Sequence, residues 1–270
     1  MGLFSGYLIV SDIDGTLYDS KGQLSEDNRL AIERFKNEGG RFTVASGRGI
    51  RDVTEIDEAL HLANAPLIAT NGTVVGRESD VLWQCRFDKT VAATVQLLLD
   101  HAAYCDAEFS TPRGIAVYRP NAYSEAHRHY VLDPFWEIAS LAEIPEDTSM
   151  VAFWMAEEDI PRFKALFSEL GCDQKYDAFQ GFRFAYEMVP MGEGKGASAR
   201  MLKERLGCHT LVCAGDSGND VSMLREADVS FAPSSAMEEA KAAAQTVLDR
   251  SCDEAIYPEI LERLLSTKTA

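Results

Sequence analysis

Two clusters of carboxylates stand out among the residues that could do chemistry. The first, Asp12–Thr16 (DIDGT), follows a short apolar run that predicts a buried strand. In an extended segment residues i and i+2 point to the same side, so the two carboxylates are expected to face one spot. The second cluster, Gly215–Asp220 (GDSGND), also follows an apolar run. Like charges at two strand ends repel each other unless a cation neutralises them, so the clusters predict a site for a hard metal ion.

Magnesium fits such a site because it binds carboxylates together with water and phosphate oxygens, without a full cage of protein ligands. It also offsets the repulsion between a carboxylate nucleophile and a phosphate dianion. The six cysteines contain no C-x-x-C pair, so the sequence predicts neither a zinc ribbon nor a thioredoxin-like motif.

Two further segments could supply hydrogen-bond donors and positive charge. Ser46-Gly47-Arg48 ends the second predicted strand, where a hydroxyl and neighbouring backbone N–H groups can hold phosphate oxygens. Lys195 lies in a glycine-rich loop that enters a predicted helix, and the positive end of a helix favours anions. Each segment alone is typical of an ordinary loop, but the four motifs in this order predict a phosphate site.

The elements that must position these motifs alternate between strand and helix. Apolar runs and helical periodicity predict strands at 7–10, 41–45, 66–70, 210–214 and 228–232, and helices at 25–39, 52–63, 196–206, 220–226, 236–244 and 253–265. This alternation favours an α/β fold with a Rossmann-like, doubly wound parallel sheet. Its ligand crevice lies beyond the carboxyl ends of the strands, which is where each polar motif is predicted.

The pattern changes in the middle of the chain. Helices are predicted at 88–102 and from about 161, and strands at 115–118, 150–155 and 184–189. We therefore expect a catalytic core of residues 1–80 and 185–270, with an inserted α/β cap domain over residues 81–184. Trp83, Trp136 and Trp154 could shape a substrate pocket in this block, but buried packing is their expected role. His127 and His129 could suggest a metal site, but they are expected on a solvated segment.

Composition narrows the partners. The 270 residues carry a formal net charge of −17, which argues against nucleic acid and against anionic membranes. A small phosphorylated metabolite remains compatible with this charge if the site supplies local positive groups. No run approaches the roughly 18 apolar residues of a spanning helix, so a cytoplasmic location is the prediction. The sequence does not predict an oligomeric state.

The motifs DIDGT, SGR, KG and GDSGND, in this order at strand ends, resemble those of the haloacid dehalogenase superfamily. The block that follows the Asn71-Gly72 turn resembles the cap of the Cof-type phosphatase branch. The resemblance implies a magnesium-dependent hydrolase of small phosphate monoesters that forms a phosphoryl-aspartate on Asp12. It leaves the particular ester open, since sugar phosphates and several cofactor phosphates suit relatives with this architecture.

The resemblance also implies roles for individual residues. Asp12 would be the nucleophile, Asp14 the general acid and then the base, and Lys195 the cation that steadies the phosphoryl group. The implied phosphate-binding residues are Ser46, Gly47, Arg48, Asn71, Gly72 and Asn219. The implied metal-binding residues are Asp12, Asp14 through its backbone carbonyl, Asp216 and Asp220, with Asn219 and Asp220 orienting the metal shell, the lysine or the substrate.

Three alternatives stay open at this point. A sugar phosphomutase would share the nucleophile and the acid, and would need extra basic residues in the cap, where arginines occur at 113, 119, 128, 162 and 183. The segment 192–197 (GEGKGA) matches a dinucleotide-binding fingerprint, but that reading leaves DIDGT unexplained. A non-catalytic module would not need all four motifs.

Overall fold

Residues 2–266, the part of the chain that the computed structural model describes, contain fourteen strands, nine α-helices and five short 3-10 helices. The strands are β1 (Tyr7–Ser11), β2 (Arg41–Val44), β3 (Leu67–Ala69), β4 (Val74–Arg77), β5 (Asp80–Gln84), β6 (Ala107–Thr111), β7 (Gly114–Tyr118), β8 (Phe135–Ile138), β9 (Met150–Trp154), β10 (Tyr176–Phe182), β11 (Ala185–Pro190), β12 (Thr210–Ala214), β13 (Val229–Ala232) and β14 (Thr246–Val247). The helices are α1 (Glu26–Asn37), α2 (Ile50–Leu60), α3 (Val91–His101), α4 (Ala122–Arg128), α5 (Ile160–Glu169), α6 (Lys195–Arg205), α7 (Val221–Glu226), α8 (Glu238–Ala243) and α9 (Ile256–Ser266).

The chain divides into two compact units. The core unit runs to Ser46, resumes over Glu55–Ile68 and continues from Lys195, while the second unit comprises Gly47–Thr54 and Ala69–Gly194. The predicted catalytic core of residues 1–80 and 185–270, and the predicted cap of residues 81–184, stay predictions.

Within the described residues, no helix combines the length and the apolar character needed to cross a bilayer.

The core unit contains the predicted parallel sheet, in the order β14-β13-β12-β1-β2. All four neighbouring pairs are parallel, and Ile68 of β3 bridges to Ala45 just beyond β2. Leu8, Ile9 and Val10 of the interior strand β1 are fully buried, as expected where helices cover both faces of a parallel sheet. The α/β class predicted from the alternation is confirmed.

Helix α1 holds the loop that follows DIDGT. Ser25 caps the helix by accepting a hydrogen bond from the backbone N–H of Asn28, at 3.2 Å. The buried Asn28 side chain donates to the carbonyl of Leu17 and accepts from the backbone N–H of Tyr257 in α9. One amide therefore links two helices to the chain directly after the first acidic motif.

The second unit is built on a six-stranded sheet in the order β10-β11-β9-β6-β7-β8. Its neighbouring strands are antiparallel except for β7 with β8. Alternate residues of each strand face opposite sides. Phe109 and Phe153 join the hydrophobic core that includes Leu98 of α3 and Phe163 of α5. The residues that alternate with these two phenylalanines, such as Glu108 and Ala152, lie on the opposite face of the sheet, where they line a cavity of about 500 Å³.

Most predicted elements are present within a few residues. The helix predicted at 52–63 instead spans Ile50–Leu60, because His61 takes a left-handed conformation with φ of 51° that a helix cannot continue through. Elements without a prediction include the β4–β5 hairpin, helix α4 and strands β6, β8, β10 and β14. The α4 helix begins at a capping box of Asn121 and Ser124, a local signal that the sequence does contain.

Candidate active site

The strand register brings the first and last acidic motifs to one edge of the sheet. Ser11, the last residue of β1, pairs with Ala214 of β12 on one side and with Val44 of β2 on the other. The backbone N–H of Asp12 then donates to the carbonyl of Ala214 at 2.8 Å. Asp12 is thus fixed one residue beyond the ladder, next to the start of the second acidic motif.

Lys195 joins the two acidic motifs directly. Its Nζ lies 2.7 Å from Oδ1 of Asp12 and 2.7 Å from Oδ1 of Asp220, and its side chain is fully buried at the first position of α6. Burial alone would lower the pKa of Lys195, but the two carboxylates outweigh burial and raise it. The ammonium therefore stays charged and shares its charge between both motifs.

Asp216 is held by the DIDGT motif. Thr16, itself fully buried, donates its hydroxyl to Oδ1 of Asp216 at 2.7 Å. Gly15 has φ of 82°, and a Cβ at that position would lie 2.6 Å from Oδ2 of the same carboxylate. Both the left-handed conformation and the close approach call for glycine here. The glycine and threonine of DIDGT therefore position a carboxylate 200 residues away in sequence.

Asp220 is braced by its own turn. Its Oδ2 accepts hydrogen bonds from the backbone N–H groups of Asp216 and Ser217, while Oδ1 accepts from Lys195. Asn219, largely buried in the same short turn, accepts a hydrogen bond through Oδ1 from the hydroxyl of Ser217. Both carboxylate oxygens of Asp220 thus accept hydrogen bonds from the protein, and this arrangement orients the side chain of Lys195. Metal binding by Asp220 stays a prediction.

Three carboxylates of this site are close enough to share a cation. One oxygen from each of Asp12, Asp216 and Asp220 lies within 4.8 Å of the others. Burial, and next the charge of Asp220, raise the pKa of Asp12 well above its ordinary value and that of Asp216 to about 6. The negative charge exceeds what Lys195 alone balances, and this all-oxygen donor set fits the preference of Mg²⁺.

Two other predicted residues also belong to the core unit. Asp14 is exposed, yet its carboxylate is near enough to contribute to the raised pKa of both Asp12 and Asp216. Ser46 is almost fully buried directly beyond β2, where its backbone N–H donates to the carbonyl of Ile68. An accessible carboxylate beside a buried one suits a group that exchanges protons with a substrate.

The remaining predicted phosphate-binding residues lie together in the second unit. The backbone N–H of Thr70 donates to the carbonyl of Arg48, and a Cβ on Gly47 would lie 3.1 Å from Oδ1 of Asn71. Asn71 and Gly72 form a tight turn with positive φ at both residues. The amide of Asn71 donates to Oε2 of Glu187 at 2.6 Å. Phosphate binding by these four residues stays a prediction.

Comparison with known families matches residues 9–260 to the haloacid dehalogenase-like hydrolases. The chain belongs to this family. A phosphatase of 5-amino-6-(5-phospho-D-ribitylamino)uracil from Bacillus subtilis, YitU, is 23% identical to this hydrolase over 245 residues, covering 87% of this chain and 89% of that protein. The family and the phosphatase names of its relatives confirm the predicted Cof-type branch and support a phosphatase.

A solved structure shares the fold of this hydrolase at low identity. The subclass IIB sugar phosphatase BT4131 superposes with a TM-score of 0.81 at 20% identity, covering 95% of this chain and 98% of that one.

Another relative is the chloroplastic endoribonuclease YBEY of Arabidopsis thaliana, 27% identical over 254 residues. That match takes in 88% of this chain but 43% of the plant protein, so the hydrolase spans less than half of that relative.

Several residues that hold the side chains of the hydrolase in place have no role predicted from the sequence. Thr16 and Ser217 lie within the two acidic motifs, where they donate hydrogen bonds to Asp216 and Asn219 respectively. His127 is expected on a solvated segment, but its side chain is 16% exposed and its Nδ1 lies 2.9 Å from Oε2 of the buried Glu108. The local sequence does not reveal this contact, because the partner is 19 residues away, on β6. The alternation of Ala107 to Ser110, apolar and polar in turn, is the signal that could have found Glu108.

Proposed function

We propose that this hydrolase is a magnesium-dependent phosphatase of small phosphate monoesters that acts through a phosphoryl-aspartate on Asp12. The observation that carries the proposal is the buried ammonium of Lys195, held 2.7 Å from both Asp12 and Asp220. A lysine fully removed from water and bonded to two carboxylates of different motifs positions a nucleophile and offsets charge at the same point.

The first step uses the two aspartates of DIDGT. A carboxylate oxygen of Asp12 attacks phosphorus, so that an oxygen–phosphorus bond forms and the bond to the ester oxygen breaks. Asp14 gives its proton to the departing alkoxide, which leaves as the alcohol. Lys195 steadies Asp12 and spreads the charge that gathers on the phosphoryl oxygens, with the hydroxyl of Ser46 as a further donor.

The second step returns the enzyme to its starting state. Asp14, now ionised, takes a proton from a water molecule, whose oxygen attacks phosphorus and releases inorganic phosphate from Asp12. The exposure of Asp14 supports this exchange with water and substrate, whereas Asp12 is buried. Asp12, Asp216 and the backbone carbonyl of Asp14 would hold Mg²⁺, with Asp220 beside them. When bound, the ion would neutralise negative charge on the carboxylates and on the phosphate.

The proposed partner is a small phosphorylated metabolite, and the proposed location is the cytoplasm. The relative YitU is named for a phosphorylated ribitylaminouracil, which supports a small metabolite as the class of substrate here as well. The net charge of −17 supports neither nucleic acid nor an anionic membrane as a partner.

Phosphate release from a panel of small esters tests the proposal. The intact protein is assayed with magnesium and with chelator, beside Asp12→Asn and a control, Asp19→Asn. Asp19 lies in the loop after DIDGT, where its Oδ1 accepts hydrogen bonds from the backbone N–H groups of Lys21 and Gln23. We expect magnesium-dependent release that Asp12→Asn lowers by several orders of magnitude and Asp19→Asn leaves near the original rate.

Two outcomes contradict the proposal. Release that survives Asp12→Asn would exclude a phosphoryl-aspartate at this residue. Transfer of phosphate between positions of a sugar, without release of inorganic phosphate, would instead assign the site to a mutase.

A further inference from the structure

The Asn71-Gly72 turn of the second unit has a strained backbone. Thr70, Asn71 and Gly72 have φ of 51°, 53° and 99°, so three consecutive residues are left-handed. This conformation is unfavourable for asparagine and still more so for the β-branched Thr70. Strain of this kind persists only where the surrounding structure holds it, and it is most frequent at functional sites. The contacts that hold the turn therefore indicate its role.

The turn is bonded to a segment that is predicted to bind phosphate. The backbone N–H of Thr70 donates to the carbonyl of Arg48 at 2.8 Å. Oδ1 of the fully buried Asn71 lies 3.1 Å from the position that a Cβ on Gly47 would take. All of these residues belong to the second unit. A shift of the turn would therefore displace Gly47 and Arg48.

Glu187 of β11 fixes the side chain of this asparagine. Nδ2 of Asn71 donates to Oε2 of Glu187 at 2.6 Å, and Sδ of Met150 lies 3.0 Å from the same nitrogen. An ionised carboxylate only accepts hydrogen bonds, so it determines which end of the amide faces it. The nitrogen of the amide therefore faces β11, and Oδ1 faces Gly47.

The neighbouring strand makes room for the carboxylate of Glu187, which is almost fully buried. Strand β10 pairs with β11 through a register shift between Gln180 and Phe182. The residue at the shift is Gly181, and a Cβ at that position would clash with Oε2 of Glu187. A side chain at position 181 would therefore push the carboxylate away from Asn71.

We propose that Glu187 is a positioning residue for phosphate binding. It fixes the amide of Asn71, and through Asn71 it keeps the strained turn in the conformation that holds Gly47 and Arg48. Glu187 acts through Asn71 and not on the phosphate itself. The inference rests on the proposed function and on the phosphate-binding role predicted for Gly47, Arg48, Asn71 and Gly72.

Inorganic phosphate is the probe, because it requires no knowledge of the natural ester. Calorimetry measures its affinity for the full-length protein with magnesium. Glu187→Met keeps the length of the side chain but removes the acceptor, so it should weaken phosphate binding about tenfold. The KM for 4-nitrophenyl phosphate should rise by a similar factor, with a smaller change in kcat. Glu187→Gln, which keeps an acceptor oxygen at the same reach, should retain more phosphate affinity than Glu187→Met.

Glu108→Met is the matched control. Glu108 and Glu187 both pair in register with Ala152 of β9, so they lie on the same face of the sheet, and both are almost fully buried. Glu108 is bonded to His127 instead of Asn71. A general loss of stability from a buried carboxylate would affect both variants alike, whereas positioning requires that only Glu187→Met weakens phosphate binding. Equal losses of phosphate affinity would overturn the proposal.

Two further variants test the link through Asn71. Gly181→Ala keeps the carboxylate of Glu187 but displaces it, so it should also weaken phosphate binding. In the Asn71→Ala background the link is already missing, so Glu187→Met should cause little further loss of phosphate affinity. Circular dichroism verifies that each variant is folded. Additive losses in the double variant, or wild-type affinity in both Glu187→Met and Gly181→Ala, would contradict the positioning role.

The role of Glu187 and the phosphatase activity are judged by different measurements. Calorimetry reports phosphate binding without turnover, so the variants decide the role of Glu187 even if no ester is hydrolysed. Absence of release from every ester would reject the proposed function alone. An intact protein that does not bind inorganic phosphate at all would reject the positioning role as well.

Discussion

Replacing Lys195 by methionine should destabilise the metal-free protein far more than the loss of an ordinary ion pair. The ammonium is fully buried and makes two bonds of 2.7 Å, to Asp12 and to Asp220, both of which are also buried. Methionine fills a similar volume without charge, so the two carboxylates lose their shared cation. Breaking a buried ion pair from one side costs about 3–5 kcal/mol, because the remaining charge stays uncompensated.

Urea unfolding in the presence of chelator, followed by circular dichroism, measures this cost. With a slope of about 2 kcal/mol per molar urea, the unfolding midpoint should fall by about 1.5–2.5 M. Lys203→Met provides the control on the same helix: its Nζ lies 2.6 Å from Oδ2 of Asp228, but this pair is partly exposed and should contribute about 0–1 kcal/mol.

A double variant tests the electrostatic reason for the loss. Lys195→Met combined with Asp220→Asn removes one of the two uncompensated charges, so its midpoint should lie above that of Lys195→Met alone. A midpoint for Lys195→Met no lower than that of Lys203→Met would refute the reasoning. So would a double variant that is less stable by the sum of its two single effects.

Three further perturbations follow from the contacts. Thr16→Val removes the hydroxyl bonded to Asp216 and should weaken magnesium binding about tenfold by calorimetry; an unchanged affinity would contradict the positioning role. Gly15→Ala places a Cβ 2.6 Å from Asp216 at φ of 82° and should lower both the unfolding midpoint and the magnesium affinity, so wild-type values for both would count against it. Burial raises the pKa of Asp106 from 3.8 to about 7, so the folded state keeps a proton that the unfolded state has lost. Stability should therefore fall as pH rises between these values, and urea midpoints across that range should show a shallower fall in Asp106→Asn; an identical slope would place the titration elsewhere.

Much of the core unit could be predicted from local sequence patterns. The apolar run before Asp12 and the run before Gly215 each predict a strand that ends at a polar motif, and the register of β1 with β12 places those ends side by side. Parallel pairing between buried strands left few alternatives for where the two motifs could meet. The buried position of Lys195 could not be predicted, because an ammonium in a glycine-rich loop is ordinarily solvated.

The second unit was harder to predict because its informative contacts are distant in sequence. Trp154 is buried, as expected for a packing residue, and it also lines a cavity of about 500 Å³. The pairing of Glu108 with His127 joins a strand to a helix that had no prediction. Hydrophobic periodicity identifies which residues face a core, but it does not identify which polar residues share the opposite face of a sheet whose strand order is unknown.

The most direct test of the central claim is the detection of a phosphoryl group on Asp12. Asp14→Asn, which should slow hydrolysis of the intermediate, is mixed with magnesium and an activated phosphate ester, quenched in acid and analysed by peptide mass spectrometry. We predict one added phosphoryl group on the peptide that contains Asp12, and none in the Asp12→Asn/Asp14→Asn protein treated in the same way. Phosphate release without any phosphorylated peptide, or a phosphoryl group on another residue, would contradict the proposed mechanism.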